Sequence, residues 1–303
     1  MNDRNDAAGL VIGAFSRRMR LKLADHSIVE ARIKGKKLRP VCGDRVSVDR
    51  IPDETDWLIT KIHPRDNELT RPDSRGRKEV LAANLDCIIV MTATEPKPDW
   101  FVVDRYLVAA ENMSAPAIVV FNKTDLLTGE NVLPTAIRDY STAKYTVIKT
   151  SAQTGRNLDQ LNKLIAGKTS IIVGQSGVGK SSVINQLIDD GHQLTATLSR
   201  KHGEGRHTTV VSIMLELQVG GYVVDSPGVR DYAPAIVSED EVIRGYREIN
   251  EAGDEGRFGN SKQLREPNCA VKQALEYGTI SARRYESYKR LMSTIRDRNR
   301  NIH

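Results

Sequence analysis

The chain of 303 residues is long enough for about two domains of ordinary size and a small third. Its 45 basic and 39 acidic residues give a net charge of +6, and a composition of 39% apolar and 28% charged residues excludes general disorder. No run of 18 apolar residues occurs, and residues 1–13 lack the basic start and apolar centre of a signal peptide. The sequence therefore predicts a cytoplasmic protein without a membrane contact. Its cysteines, Cys42, Cys87 and Cys269, are too far apart and odd in number for a disulfide framework.

Residues 1–77 combine a strand-like alternation with an excess of basic side chains, 17 against 12 acidic ones. Apolar and polar residues alternate near residues 19–23, 29–33, 46–48 and 57–62. Four or five short strands in about 60 residues are typical of a small closed β-barrel of the oligonucleotide-binding (OB) kind. Phe15 and Trp57 are its only aromatic residues, so contact with phosphates or shaped RNA is favoured over base stacking. A merely solvated basic surface stays open as the alternative.

Residues 78–237 have a different pattern of apolar and polar residues from residues 1–77, and their net charge is −1. Helix-like stretches lie near residues 102–112, 131–140 and 156–166, between short apolar strands predicted at residues 85–91, 117–121, 145–149 and 169–173. This alternation predicts an α/β domain with a parallel sheet. Residues 238–303 are more polar, and helix-like patterns near residues 238–251 and 271–296 predict a small C-terminal helical domain with a basic tail.

The pattern GxxxxGK[ST] follows the fourth predicted strand and opens a helical stretch, which is the context of a phosphate-binding loop. It consists of Gly174, Gln175, Ser176, Gly177, Val178, Gly179, Lys180 and Ser181, and we assign Ser182 to the same site. The glycines let backbone N–H groups point at phosphate oxygens, Lys180 would span the β and γ phosphates, and the Ser181 hydroxyl would bind Mg²⁺. After a second apolar strand, Asp225 would hold Mg²⁺ through water, and the Gly228 N–H would meet the γ-phosphate.

Two further strand ends carry residues that can read a guanine base. Asn122, Lys123, Thr124 and Asp125 form the pattern NKxD. The Asp125 carboxylate can accept hydrogen bonds from guanine N1–H and N2–H₂, whereas adenine offers an acceptor at N1 and has no amine at C2. Ser151 and Ala152 close the next strand, where the Ala152 N–H could donate to guanine O6. Together with the phosphate loop, these strings predict GTP as the ligand.

The order of these motifs is unusual, because the base-reading strings precede the phosphate loop in the chain and ordinary GTPases have the reverse order. In this arrangement the sequence resembles the circularly permuted GTPases of the ribosome small-subunit-dependent GTPase A family (RsgA, or YjeQ). The resemblance covers nearly the whole chain. It includes the basic barrel, the permuted motifs, Gly205-Arg206-His207-Thr208-Thr209 and the string Glu266-Pro267-Asn268-Cys269-Ala270-Val271.

The changes of pattern along the chain, together with the resemblance, predict a monomeric protein of three domains: an OB-like barrel in residues 1–77, a permuted P-loop GTPase in 78–237 and a helical domain in 238–303. The resemblance also implies an enzyme that binds the small ribosomal subunit and its 16S rRNA late in assembly and hydrolyses GTP with Mg²⁺. Two alternatives stay open: an RNA-anchored module that senses GTP and GDP with little turnover, and a paralogue adapted to zinc scarcity or to another RNA.

Catalytic groups and zinc ligands are where this chain departs from expectation. Many GTPases position the attacking water with a Gln after the DxxG glycine, but Val229 stands there and cannot hydrogen-bond water. His207 is the candidate substitute, with Thr208 or Thr209 reaching Mg²⁺ and the γ-phosphate; contact of His207 with RNA is the alternative. The Cys, Cys, His, Cys zinc set of the family aligns with Gly256, Ser261, Gln263 and Cys269. We therefore expect no zinc and a C-terminal domain held by apolar packing, including Phe258 and Val271.

Overall fold

The computed structural model describes residues 7–15, 18–35, 37–73, 76–127, 133–188, 212–226, 234–236, 238–254 and 270–300. The chain forms two compact units. The first contains residues 1–87, 158–172 and 181–232, and the second contains residues 88–157, 173–180 and 233–303. Among the described residues, no helix combines the length and the hydropathy needed to cross a membrane.

A closed five-stranded barrel forms the N-terminal part of the first unit. Its strands are β1 (Ala7–Phe15), β2 (Arg18–Leu23), β3 (Ile28–Ile33), β4 (Arg45–Arg50) and β5 (Trp57–Ile62). They pair in the order β1-β2-β3-β5-β4, and β4 pairs again with β1 to close the barrel. Alternate residues such as Val11, Leu21 and Ile59 are fully buried inside it, as the alternation in the sequence requires. The predicted OB-like barrel is confirmed.

Strand β1 also joins the barrel to the remaining strands of the first unit. Its residues Gly13 and Ala14 pair antiparallel with β12 (Ser212–Glu216). β12 in turn pairs with β13 (Tyr222–Asp225), which runs parallel to β11 (Thr169–Gly174). Helices α3 (Leu158–Ile165) and α4 (Lys180–Leu187) precede and follow β11 in the chain, and β6 (Glu68–Pro72) and β7 (Lys78–Ala83) form a separate hairpin. That hairpin spans the boundary placed after residue 77, and the three-domain division stays a prediction.

The second unit contains a parallel sheet, as the alternation of apolar strands and helix-like stretches in the sequence predicts. Its strands β8 (Cys87–Ala93), β9 (Ala117–Asn122) and β10 (Thr146–Lys149) pair in that order and are linked by α1 (Trp100–Asn112) and α2 (Ala136–Thr142). All seven residues of β8 and all six of β9 are buried, which explains why they appear in the sequence as continuous apolar runs. Asp99 caps α1, because its side chain accepts hydrogen bonds from the N–H groups of Phe101 and Val102.

In the described C-terminal residues of the second unit, 238–254 and 270–300, four helices pack around an apolar core. They are α5 (Glu239–Gly245), α6 (Arg247–Asp254), α7 (Ala270–Glu276) and α8 (Ala282–Arg300). The core includes Val108 of α1 together with Tyr246, Val271, Tyr288 and Leu291, all at most 1% exposed. The pattern expected to be helical over residues 271–296 is divided into α7 and α8 near Gly278, whose φ of +74° interrupts helical backbone. Val271 packs as the sequence suggested, whereas Phe258 lies outside the described residues.

Candidate nucleotide-binding site

The phosphate loop in the second unit leaves β11 through backbone conformations that require glycine. Gly174, Gly177 and Gly179 have φ values of +133°, +79° and +95°. A Cβ on Gly174 would lie 2.1 Å from the Met91 carbonyl oxygen, and one on Gly179 would lie 2.4 Å from Asn122 Nδ2. The loop is therefore packed directly against the ends of β8 and β9, and these glycines are needed both for conformation and for space.

Asn122 connects the phosphate loop to the base-reading loops. It ends β9, is 1% exposed, and its Nδ2 donates to the Val178 carbonyl oxygen at 3.0 Å. Its Oδ1 accepts from the Thr150 hydroxyl at 3.1 Å and from the Ala152 N–H at 3.2 Å. One buried amide thus joins three segments that are far apart in sequence. Because Ala152 N–H already donates to Asn122, it would have to share or exchange that bond to reach guanine O6.

The residues assigned to guanine recognition lie together at the ends of β9 and β10. Lys123 has a left-handed φ of +61°, and Thr124 donates through its N–H and its hydroxyl to the Thr150 carbonyl oxygen at 3.1 and 2.9 Å. The exposed Asp125 carboxylate accepts a 2.5 Å hydrogen bond from the buried Ser151 hydroxyl. Ser151 therefore restrains Asp125, which otherwise presents a carboxylate oxygen to solvent.

In the second unit, the first half of the phosphate loop packs against the loop that leads into α1. The Gln175 side-chain oxygen accepts a hydrogen bond from the Asp99 N–H at 3.1 Å. A Cβ on Gly177 would lie 3.3 Å from Pro96 Cδ, which shows how closely the two loops approach. Lys180 Nζ donates to the carbonyl oxygens of Gly174 and Gln175 at 2.6 and 2.7 Å, so the lysine is held over the loop. Ser176 is exposed beside it.

The residues assigned to Mg²⁺ are in the first unit. Ser181 and the exposed Ser182 lie in the first turn of α4, and Asp225 ends β13. Both candidate ligands, Ser181 and Asp225, offer oxygen atoms, which suit a hard cation that keeps several of its waters. They fit Mg²⁺ by donor type. The metal would neutralise charge on the β and γ phosphates.

Several assigned residues lie outside the described part of the chain. These are the catalytic candidates His207, Thr208 and Thr209, the γ-phosphate contact Gly228, Val229, and the four positions aligned with the zinc ligands, Gly256, Ser261, Gln263 and Cys269. Among the residues that are described, no group of three or more His, Cys, Asp or Glu side chains could hold a metal ion.

The motifs in the sequence did not identify Thr150 as a residue of the site. They also did not identify the hydrogen bonds by which Asn122 joins the phosphate loop to the neighbouring loops. Thr150 is fully buried, and both its hydroxyl and its carbonyl oxygen hold the base-reading loop. Its position directly before Ser151, at the end of an apolar strand, was a signal that it lies at the site. No sequence signal indicated that Gln175 would bind the N–H of Asp99, because the two residues are 76 positions apart.

A phosphate loop and the loops assigned to guanine recognition, joined through Asn122 at the ends of parallel strands and in permuted chain order, are the features of a circularly permuted P-loop GTPase. The family model described as RsgA GTPase matches residues 62–234, which is more than half of the chain. The chain belongs to the RsgA GTPase family.

Curated relatives and solved structures agree with this assignment. The small ribosomal subunit biogenesis GTPase RsgA of Saccharophagus degradans is 35% identical over 97% of this chain and 89% of its own length. The protein of the same name from Actinobacillus pleuropneumoniae is 35% identical over 94% of this chain and 85% of its own. The crystal structure of YjeQ from Thermotoga maritima superposes with a TM-score of 0.73 at 28% identity, covering 95% of this chain and 98% of that one. YloQ, described as a circularly permuted GTPase, superposes with a TM-score of 0.74 at 27% identity, covering 98% of both chains.

Proposed function

We propose that this chain is a GTPase of small ribosomal subunit biogenesis, which binds the subunit and its 16S rRNA as a cytoplasmic monomer and hydrolyses GTP there. The observation that carries the GTP part is the Asn122 amide, which holds the phosphate loop and the guanine-reading loop in one arrangement. The ribosomal part is supported by the relatives named for small subunit biogenesis. In this proposal the basic N-terminal segment, residues 1–77, which includes the barrel, contacts the RNA.

The proposed roles follow the chemistry of each side chain. Asp125 selects guanine, Lys180 neutralises the β and γ phosphates, and Ser181 and Asp225 hold Mg²⁺. Val229 cannot position water, which favours slow turnover by the free protein. His207 is proposed to position the attacking water when the subunit is bound, with Thr208 or Thr209 at the metal and Gly228 at the γ-phosphate.

The test is GTP turnover by the purified protein with and without small subunits. We expect slow release of phosphate by the free protein and an acceleration by subunits, which can reach about 10³ to 10⁵ when a missing positioning group is supplied. His207→Ala should lose most of the accelerated rate and keep its GTP affinity, because the proposed role is confined to the transition state. His202→Ala, the same change nearby in the sequence, is the control and should behave like the parent.

Two outcomes would revise the proposal. Full stimulation of the His207 variant would reassign His207 to RNA contact. Binding of GTP to the parent with no stimulation by subunits would favour the alternative of an RNA-anchored module that senses GTP and GDP, an alternative motivated by Val229.

We also propose that the protein needs no structural zinc. Cys42 and Cys87 are buried free thiols, and burial raises the pKa of Cys42 to about 12 and that of Cys87 to about 11. Zinc binds the thiolate, so these raised pKa values oppose metal binding at both residues. Cys269 would then have only Gly256, Ser261 and Gln263 at the aligned positions, which cannot complete a tetrahedral site.

A further inference from the structure

Two arginines of the second unit meet at one aromatic ring. The guanidinium carbon of Arg290, on α8, lies 4.0 Å from the centroid of the Phe101 ring, and that of Arg105, on α1, lies 5.9 Å from the same centroid. Arg290 is exposed and Arg105 is partly buried. The two like charges repel each other, which opposes the attraction of each guanidinium to the ring.

Arg105 differs from the other buried arginines for which a pKa shift is resolved. Arg65 is paired with Asp44, and Arg284 is paired with Asp104 and Glu248. The hydrogen bond to Asp44 raises the pKa of Arg65, and the paired carboxylates likewise keep the pKa of Arg284 above its ordinary value despite burial. Burial lowers the pKa of Arg105 instead; the charge of Arg290 adds to this effect, and the charge of Asp99 opposes it without cancelling it. Its charge is therefore poorly compensated.

The Arg105 guanidinium has an N–H donor without an acceptor among the described residues. Its Nη2 donates to the Pro234 carbonyl oxygen at 3.2 Å, while its Nε is shielded from solvent and has no acceptor among the described residues. The neighbouring Asp99 carboxylate caps α1 by accepting from the N–H groups of Phe101 and Val102. A buried N–H without an acceptor costs free energy, and part of that cost is recovered if the Arg105 side chain moves so that this N–H meets a ligand oxygen.

We propose that Arg105 and Arg290, backed by Phe101, form a phosphate-binding site outside the GTP site, and that its ligand is a backbone phosphate of RNA in the small subunit. Guanidinium groups present several N–H donors in a plane that matches phosphate oxygens, and they stack on aromatic rings while doing so. The inference rests on the proposed function for the source of the phosphate. Free inorganic phosphate is the other source of the same chemistry.

The first experiment measures the affinity of the protein, loaded with a non-hydrolysable GTP analogue, for purified small subunits at several KCl concentrations. Arg290→Gln and Arg105→Gln are compared with Arg138→Gln. Arg138 is an exposed helical arginine on α2, so this control makes the same change of charge. We expect about tenfold weaker binding for each of the first two variants. Their slope of log affinity against log salt should be smaller by about 0.7 to 0.9, as for one lost phosphate contact. Arg138→Gln should change neither quantity.

The second experiment titrates inorganic phosphate into protein saturated with GDP and Mg²⁺, so that the phosphate loop is occupied, and follows the melting temperature. One outcome is that phosphate raises the melting temperature of the parent but not that of Arg290→Gln, while the two proteins bind small subunits equally well. That result would support the phosphate site and identify free phosphate as its ligand. If neither experiment separates Arg290→Gln from Arg138→Gln, the inference is wrong. Arg290 is exposed, so its variant tests the site even if Arg105→Gln fails to fold. If the parent does not bind subunits, the proposed function fails, and the phosphate titration still decides whether the site exists.

Discussion

In the proposed guanine site, Asp125 is the side chain that we expect to decide which base the protein accepts. Its carboxylate is exposed and is restrained by a single described side-chain bond, the 2.5 Å contact from Ser151 Oγ. A carboxylate accepts hydrogen bonds and donates none when ionised, so it matches the two donors on the guanine edge. Removal of the acceptor leaves those donors without a partner in the bound state.

Asp125→Asn should therefore weaken GTP binding by about 1 to 3 kcal/mol, which is the cost of leaving a donor unmatched. The same variant should bind xanthosine triphosphate more tightly than the parent does, because xanthine has a carbonyl oxygen at C2 that an amide can meet. Titrations of GTP and of xanthosine triphosphate into the parent and into Asp125→Asn measure this change in nucleotide preference. Equal affinity of the parent for ATP and GTP would contradict the assignment of Asp125.

Gly179 provides a second test at the level of one residue. An added methyl group would have to occupy space 2.4 Å from Asn122 Nδ2 and would strain a backbone with φ of +95°. Gly179→Ala should displace Asn122 and reduce GTP affinity by about tenfold, which corresponds to a loss of about 1.4 kcal/mol of binding free energy. Gly278→Ala is the matched control, since its φ of +74° imposes similar strain, about 1 to 2 kcal/mol, but nothing lies within 4 Å of the new methyl group. It should lower stability and leave GTP affinity unchanged.

At the scale of elements, α8 is joined to α1 by a buried ionic network. Arg284 is 0% exposed and donates to Asp104 at 2.9 Å and to Glu248 at 2.6 and 3.0 Å. Asp104, also 0% exposed, accepts further bonds from Tyr140 and Arg283. Such a network contributes little net stability as a whole, but loss of one partner leaves an uncompensated buried charge.

Asp104→Ala should accordingly lower the free energy of unfolding by about 3 to 5 kcal/mol in urea denaturation. Glu251→Ala, which breaks the exposed pair with Lys144, should cost less than about 1 kcal/mol. A similar small cost for both variants would show that the network is solvated rather than buried in solution.

This network also shows what the sequence could and could not predict. The strands β8 to β11 and the motifs at their ends were predictable, because buried parallel strands appear as apolar runs and each motif directly follows one. Asp104 and Arg284 are 180 positions apart, and a single sequence does not identify such a pair. Strand β1 was missed as well, since small residues such as Ala8 and Gly9 conceal its alternation. At the site, the sequence predicts that Asn122 reads the base. It does not predict the hydrogen bond from Asn122 to Val178, because these two residues come together only in the folded chain.

At the scale of the whole molecule, the proposed absence of zinc predicts how the protein responds to a chelator. Dialysis of the nucleotide-free protein against a metal chelator should leave its melting temperature unchanged, because the C-terminal helices share an apolar core around Tyr246, Tyr288 and Leu291. Calorimetry before and after dialysis measures this, and elemental analysis gives the metal content. Stoichiometric zinc that is lost together with helical signal would overturn the prediction.

The double pairing of β1 bears on how far this protein can be shortened. Residues Ala7–Leu10 pair with β4 inside the barrel, while Gly13 and Ala14 pair with β12. A chain that begins at residue 78 would therefore lose the neighbour of β12 and expose an unpaired strand edge. Such edges recruit strands from other molecules, so the isolated GTPase segment should self-associate more readily than the intact chain. By this argument the barrel, through β1, covers a strand edge of the GTPase segment that could otherwise pair with another molecule.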